Sequence, residues 1–202
     1  MSLLRVFCGW GLAASLGSGL AVAAPVTVAV TQANGAPLAG AVVFLESAQA
    51  AQAAKPLSNA EMAQEKKEFA PGVLVVTRGT SVTFPNRDTV RHHVYSFSPA
   101  KKFELKLYAG TPANPVEFDR TGIAVLGCNI HDNMVGWVVV VDTPYFGTAA
   151  ANGQVALDAP PGKYTLRTWH PRLPVGQEAA IQALDVVAAG ARATVKLGPL
   201  QP

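Results

Sequence analysis

Three residues near the middle of the chain have side chains that bind soft metal ions. Cys128, His131 and Met134 form a Cys-x2-His-x2-Met pattern. A thiolate, two imidazoles and a thioether are the ligands of a blue-copper electron-transfer site, in which the thioether is the weak axial ligand. His92 or His93, upstream of the pattern, offers the second imidazole. The residue types and their spacing therefore predict a single copper ion bound by these side chains.

The flanking sequence predicts that two strands hold the loop that carries this pattern. Residues 122–127 are strand-like up to Cys128, and residues 137–141 form a continuous apolar run, which predicts a strand buried on both faces. A loop with both ends fixed can direct its three side chains toward one point. A lone cysteine, histidine or methionine is usually structural, but their joint occurrence on one such loop favours a metal site.

The remainder of the chain is also dominated by strand patterns. Turn sequences such as Asn34-Gly35 separate short runs in which apolar and polar residues alternate. Many short strands with turns between them are typical of a sandwich or barrel, so the predicted fold class is all-β. Residues 48–60, rich in Ala and Gln, are predicted to form a loop or linker. A helix over 48–54 is the alternative, although no apolar stripe supports it.

The N-terminus has the layout of a secretory signal peptide. A short positively charged segment is followed by an apolar stretch rich in Gly, Ala, Ser and Leu, and Ala21-Val22-Ala23 forms a small-x-small cleavage motif. We expect residues 1–23 to be removed and the mature chain, without a membrane span, to be exported to the periplasm. Retention as a membrane anchor is the alternative. The mature chain keeps one cysteine, Cys128, and so forms no internal disulfide.

Composition and motifs exclude several classes of function. The formal net charge is +3, with no dense Lys/Arg run and no interleaving of aromatic and basic residues, so nucleic acid is not a predicted partner. The sequence has no Gly-x-Ser-x-Gly elbow, no phosphate-binding loop, no His-Glu-x-x-His motif and no Cys-x-x-Cys-His haem motif. We therefore predict that the protein is not an enzyme.

The segment VTFPNRDTVRHHV, residues 82–94, resembles the first-ligand region of the cupredoxin family, which includes plastocyanin and amicyanin. The family pattern is Val-Thr-aromatic-x-Asn, a short polar turn, and then Pro-His-Asn-Val. His92 aligns with the ligand histidine of the family and His93 with its asparagine, while Arg91 stands in place of the proline. The Cys-x2-His-x2-Met spacing resembles that of amicyanin, and the resemblance covers residues 61–146.

This resemblance implies a Greek-key cupredoxin β-sandwich with one type 1 copper ion, bound by His92, Cys128, His131 and Met134. His93 would hydrogen-bond the ligand loops together, act as the alternative ligand or add a fifth donor. Alternation along an extended segment directs the two neighbouring imidazoles to opposite faces, and the alignment favours His92 as the ligand. The family implies a one-electron carrier whose partner is a redox protein such as a c-type cytochrome or a dehydrogenase.

The ligand segments resemble most closely periplasmic proteins that are labelled methylamine utilization protein, a label from which we infer no amine oxidation. The turns that begin at Asn34 and Pro160 resemble those of the carboxypeptidase-regulatory-like (transthyretin-like) domain. This second resemblance implies that residues 24–47 and 147–202 form one additional small β-sandwich, with the cupredoxin-like domain inserted between them. The alternative is that residues 24–47 add strands to the central sandwich. His170, in the outer part, is predicted to be structural.

Two alternatives to an electron carrier remain open. In the first, the same ligands hold Cu(I) for delivery or storage, or hold a structural zinc ion, without redox turnover. In the second, the chain is an exported β-sandwich adaptor whose metal site has decayed. The retention of thiolate, imidazole and thioether together weighs against this second alternative.

Overall fold

The computed structural model describes residues 22–201, which form seventeen strands and one short helix. The predicted all-β sandwich class is confirmed. The predicted signal peptide, apart from its last two residues, lies outside the described residues. Within residues 22–201, no helix has the length and the apolar composition that a membrane crossing requires.

The elements follow one another along the chain with short connections. In chain order they are β1 Ala24–Gln32, β2 Val42–Glu46, α1 Ala48–Ala53, β3 Ala60–Glu61, β4 Ala63–Glu65, β5 Glu68–Ala70, β6 Val73–Thr77, β7 Thr80–Thr83, β8 His92–Ser98, β9 Lys101–Tyr108, β10 Val116–Phe118, β11 Gly122–Gly127, β12 Val135–Val141, β13 Phe146–Thr148, β14 Gln154–Ala159, β15 Gly162–Trp169, β16 Ala180–Val186 and β17 Ala191–Leu197.

Two sheets, here called the outer sheets, combine strands from both ends of the chain. In the sheet β14-β1-β17, β1 runs antiparallel to β14 and parallel to β17. In the sheet β13-β2-β15-β16, neighbouring strands are antiparallel. Val26, Val28 and Val30 of β1 are at most 1% exposed, in a core that the two outer sheets share. They alternate with more exposed residues because successive side chains of a strand point to opposite faces.

The central residues build two further sheets that share a second core, and β4 pairs with β5 in a separate two-stranded sheet. The larger sheet has the order β6-β12-β11-β8-β9, and the smaller sheet has the order β10-β7-β3. Phe84, Phe118 and Leu126 are at most 1% exposed in this core. Burial of each such side chain stabilises the fold by about 1.5–3 kcal/mol. Cys128 and Met134 belong to the same apolar cluster, so two of the predicted ligands lie against the central core.

The outer and central sheets meet along β12. Val139 and Val141 of β12 pack in one apolar cluster with Val42, Phe44 and Trp169 of the sheet β13-β2-β15-β16. The alternate valines of β12 face the central core instead. The strand is thus buried on both faces, which confirms the prediction made from its continuous apolar run.

One segment differs from its prediction. A loop was expected over residues 48–60, but the first six of these residues form helix α1. Ser47 is the N-cap, and its Oγ accepts the Ala50 backbone N–H at 3.0 Å. Alanine has the highest helix propensity, and Ala50 packs in the outer core. A capping bond and a single buried alanine therefore stabilise this helix. It lacks the apolar stripe by which a helix is usually predicted from sequence.

Strand pairing joins the first described strands to the last ones. Among the described residues, β1 pairs with β14 and β17, and β2 pairs with β13 and β15. The sheets of the central core are formed by strands between Ala60 and Val141. The division of the chain into domains at 24–47, 61–146 and 147–202 stays a prediction.

Candidate metal centre

The loop between β11 and β12 carries three of the predicted ligands. Strand β11 ends at Gly127 and β12 begins at Val135, so residues 128–134 connect two antiparallel neighbours. Within the loop, the Met134 backbone N–H donates to the His131 carbonyl oxygen at 3.0 Å and closes a tight turn. The loop is therefore short and is anchored at both ends by the hydrogen bonds between two strands.

Two imidazole rings converge on the thiol of Cys128. His92 Nδ1 lies 3.8 Å from Cys128 Sγ, and His131 Nδ1 lies 3.9 Å from the same sulfur. The candidate ligand atoms of these three residues all lie within 4.8 Å of one another. His92 is the first residue of β8, which pairs with β11 inside the five-stranded sheet. Strand pairing therefore brings together a histidine and a cysteine that are far apart in the sequence.

The spacing of these atoms fits one metal ion placed between the three side chains. Bonds of about 2.0 Å to nitrogen and about 2.3 Å to sulfur separate the two donor atoms by about 3.5 Å in a tetrahedral site and about 3.7 Å in a trigonal site. The sulfur–nitrogen distances of 3.8 and 3.9 Å are close to the trigonal separation. A thiolate and two imidazoles suit both zinc and copper, whereas a thioether beside them favours copper.

Most of the centre is shielded from water. His92 is fully buried, while Met134 and Cys128 are 1% and 5% exposed. Met134 lies in the same apolar cluster as Cys128. His131 is only partly buried. It is therefore the member of the predicted ligand set that solvent reaches most easily.

Asp88 orients the ring of His92. Its Oδ2 accepts a hydrogen bond from His92 Nε2 at 2.8 Å, so Nε2 carries a proton and Nδ1 is the ring nitrogen that faces Cys128. The carboxylate also accepts the backbone N–H groups of Lys66 at 2.7 Å and Lys67 at 2.9 Å. Burial acts to raise the pKa of Asp88, but the hydrogen bonds from Lys67, His92 and Lys66 outweigh it and hold the pKa below its ordinary value. A carboxylate behind a metal-binding imidazole fixes the ring and increases its basicity.

Asn86 shapes the turn that presents Asp88. The Asn86 Oδ1 accepts the Asp88 backbone N–H at 2.9 Å, and its Nδ2 donates to the carbonyl oxygens of Val90 at 2.8 Å and Tyr108 at 3.0 Å. The Tyr108 hydroxyl donates to the Gln64 Oε1 at 2.6 Å. Burial raises the pKa of Tyr108 above its ordinary value of 10.0, and the protonated hydroxyl can donate. These bonds tie the turn before β8 to the end of β9.

His93 lies outside the cluster of ligand atoms. Its Nε2 is 2.9 Å from the Glu104 Oε1 on β9, and its ring packs against Tyr95 with the ring centroids 5.5 Å apart. The pairing of β8 with β9 is irregular directly after His92. The structure thus brings His92 rather than His93 next to Cys128. That either histidine binds a metal ion stays a prediction.

The ring of Tyr95 packs directly on the backbone at Gly127. A Cβ atom added at Gly127 would lie 2.8 Å from the Cζ and Oη atoms of Tyr95, so a side chain at this position would collide with the ring. Because Gly127 precedes Cys128, the tyrosine lies against the backbone that leads into the ligand loop. Sequence analysis alone did not detect this contact.

His170 has both ring nitrogens in hydrogen bonds, away from the centre. Its Nε2 donates to the Ala39 carbonyl oxygen at 3.1 Å, and its Nδ1 accepts the Arg172 backbone N–H at 3.1 Å. Burial lowers the pKa of His170. The ring therefore connects the end of β15 to the turn before β2, as expected of a structural residue.

Sequence analysis missed Asp88, and it named Asn86 only as part of the family pattern, without a role at the site. The sequence did contain a sign of them, because Asn-x-Asp is a frequent turn sequence in which the asparagine side chain binds the backbone two residues on. Nothing in that turn pattern indicates that the carboxylate four residues before His92 faces its ring. That relation depends on the path of the chain from the turn into β8.

Comparison with solved structures finds matches among cupredoxins. A purple cupredoxin from Nitrosopumilus maritimus is 23% identical, with 41% of this chain and 100% of that chain covered and a TM-score of 0.37. A reduced amicyanin variant is 22% identical, and an oxidised amicyanin variant is 25% identical; both cover 49% of this chain and 98% of their own, with a TM-score of 0.37. No family model matches the chain, and no curated protein matches it in sequence. Because these TM-scores are low, the function proposed next rests on the geometry of the site.

Proposed function

We propose that the chain is a type 1 (blue) copper protein that acts as a one-electron carrier. The observation that supports this function best is the convergence of His92 Nδ1 and His131 Nδ1 on the Cys128 sulfur, at 3.8 and 3.9 Å. Met134 is buried in the same apolar cluster as Cys128 and adds a thioether to the set. Thiolate, two imidazoles and thioether form the ligand set of blue copper.

The residues of the chain hold this set in one arrangement. Bound copper would supply a centre that takes up and releases one electron, with no bond made or broken in a substrate. Asp88 fixes the ring of His92, Cys128 directly follows β11, and Met134 directly precedes β12. Since each attachment restricts a ligand, the side chains move little when the charge of the centre changes.

His131 is the side chain through which the electron enters and leaves. Of the four predicted ligands, it is the one most accessible to solvent. A partner that docks over the 128–134 loop would approach the centre through this ring. We propose a redox protein, such as a c-type cytochrome or a dehydrogenase, as that partner, and the periplasm as the compartment, because residues 1–23 have the sequence of a signal peptide. Cell fractionation tests the compartment, since a cytoplasmic protein would contradict export.

A metal-binding module without redox turnover is the second candidate. The distances from the Cys128 sulfur to the two histidine nitrogens suit zinc as well as copper. In a storage or delivery protein, the same residues would keep copper as Cu(I). The thioether of Met134 weighs against a structural zinc ion, because zinc sites in proteins are formed by sulfur of Cys, nitrogen of His and carboxylate oxygen.

A redox titration separates these functions. The purified protein is loaded with one equivalent of copper and titrated between oxidising and reducing mediators, with zinc-loaded protein as the matched control. A carrier gives a reversible one-electron couple that the zinc form lacks. Copper that stays as Cu(I) throughout, or zinc that displaces copper at equal concentration, would establish the binding module instead.

A further inference from the structure

An apolar cleft lies next to the ligand loop, between the central and outer sheets. Its volume is about 710 Å³. Outward-facing residues of β8, β11 and β12 form its floor. Trp169, the last residue of β15, forms a wall together with Pro171 and residues 173–178. Its volume lies within the range of about 300–1,000 Å³ that is typical of sites for small molecules, which occur often where two structural units meet.

Four aromatic side chains line this cleft. Tyr95 and Phe97 follow one another along the outer face of β8, with ring centroids 5.3 Å apart, and Trp137 and Trp169 lie with centroids 6.3 Å apart. Phe97 is 76% exposed and Val175, on the opposite wall, is 85% exposed. Large apolar side chains that remain exposed together around a concavity are typical of a binding site. Aromatic walls favour an aromatic occupant, because ring–ring contacts add to the effect of apolar burial.

The cleft also offers a hydrogen-bond donor. The Ser98 Oγ accepts the Val125 backbone N–H at 2.9 Å, which leaves its hydroxyl hydrogen available to donate. An occupant with an acceptor atom near Ser98 satisfies this hydroxyl. A carbonyl oxygen supplies such an acceptor without a charge.

The charge of the lining limits the occupant further. Of the described residues that line the cleft, Glu178 alone carries a charge, and no cationic side chain is present to bind an anion. The cleft is also continuous with the apolar interface of the outer and central sheets, since Trp137, Trp169 and Leu173 belong to both. A bound molecule therefore contacts an apolar surface, and this surface favours a molecule that is uncharged at neutral pH.

We propose that this cleft binds a small, uncharged aromatic carbonyl compound. Tyr95 and Phe97 face the ring, and the Ser98 hydroxyl donates to its oxygen. Gly127 and Val135, which flank the ligand loop, also line the cleft, so the occupant lies beside that loop. The binding needs no metal ion, and it is tested separately from the function proposed above.

Calorimetric titration with two matched ketones tests the proposal. Tetralone is a neutral bicyclic aromatic ketone, and decalone has the same carbon skeleton and carbonyl group without the aromatic ring. We expect tetralone to bind the purified protein with a Kd on the order of 0.1–1 mM, the range set by its small number of atoms. Decalone should bind roughly fivefold more weakly because it lacks ring–ring contacts. The anion naphthoate should bind more weakly than tetralone, because no cationic side chain lines the cleft to replace the water that binds its carboxylate.

Two variants locate the binding. Phe97→Ala removes an exposed ring of the cleft and should weaken tetralone binding several-fold, and nitrogen–proton spectra should show tetralone shifting the indole resonances of both tryptophans. Ile181→Ala is the matched control, because Ile181 is 61% exposed on β16 and does not line the cleft. Equal affinity for tetralone and decalone, or an unchanged affinity in Phe97→Ala, would overturn the proposal. So would a dimer at working concentration that Phe97→Ala dissociates, because a second copy would then cover the cleft.

Discussion

Replacing Asp88 with asparagine tests how the chain prepares His92 for a metal ion. The aspartate presents two oxygens to three donors, His92 Nε2 and the backbone N–H groups of Lys66 and Lys67, at 2.7 to 2.9 Å. An asparagine presents one oxygen and one NH₂ group of nearly the same shape. At least one of the three N–H groups then faces another donor, and the negative charge behind the imidazole is lost.

The expected effect of Asp88→Asn has two parts. The two backbone donors are exposed, so water can replace a lost acceptor there, and we expect the metal-free protein to lose about 1 kcal/mol of unfolding free energy, the net contribution of an ordinary hydrogen bond. Loss of a carboxylate that orients a metal-binding histidine lowers metal affinity by about 10–100-fold. Both changes should appear together, because one side chain supports both the turn and the ring.

Denaturant unfolding of the metal-free protein and competition for copper against a chelator measure the two parts. Asp119→Asn is the matched control, since Asp119 pairs with Lys101 in an exposed ion pair at 2.8 Å, apart from the centre. The control should leave the unfolding free energy and the copper affinity close to those of the wild type, because an exposed ion pair contributes little to stability. An Asp88→Asn protein with the copper affinity of the wild type would refute the role assigned to this carboxylate.

Three further predictions concern other histidines and the methionine. His92→Gln should abolish tight copper binding while His93→Gln retains it, as measured by chelator competition; the reverse order would make His93 the ligand. Met134→Leu, a substitution of similar volume, should cost less than about 1.5 kcal/mol and raise the reduction potential of the copper form, because the lost thioether donates to the oxidised ion; an unchanged potential would remove Met134 from the ligand set. The lowered pKa of His170 means that the folded chain binds a proton at this ring less readily than the unfolded chain does. The unfolding free energy should therefore fall as the pH drops below the ordinary histidine pKa of 6.5. His170→Gln should weaken this pH dependence, as measured by denaturant titrations at two pH values.

The strands that position the centre could be predicted from their sequence because their patterns are local. The apolar run of β12 indicated a strand buried on both faces, and the Cys-x2-His-x2-Met spacing indicated a short loop before it. The structure places His92 Nδ1 and His131 Nδ1 around the Cys128 sulfur. The order of residues alone left the choice between His92 and His93 open. The family alignment favoured His92, and alternation along β8 predicted that the two rings point to opposite faces. The pairing of β8 with β11 brings His92 next to Cys128.

Features that depend on the path of the chain could not be predicted. Asp88 reaches His92 because the Asn86 turn directs it there, and helix α1 forms because Ser47 caps a run of alanines that packs at Ala50. The aromatic cleft joins β8 to the residues after β15, which are distant in sequence. No periodic pattern within one segment reports contacts of this kind.

The visible spectrum of the copper-loaded protein tests the central claim most directly. Wild-type protein with one equivalent of Cu(II) should show an intense band from charge transfer between the Cys128 thiolate and copper, and Cys128→Ser should lose this band while its strands persist by circular dichroism. Wild-type protein that binds copper without such a band, or a serine variant that keeps it, would show that this sulfur is not bound to the metal and would contradict the account.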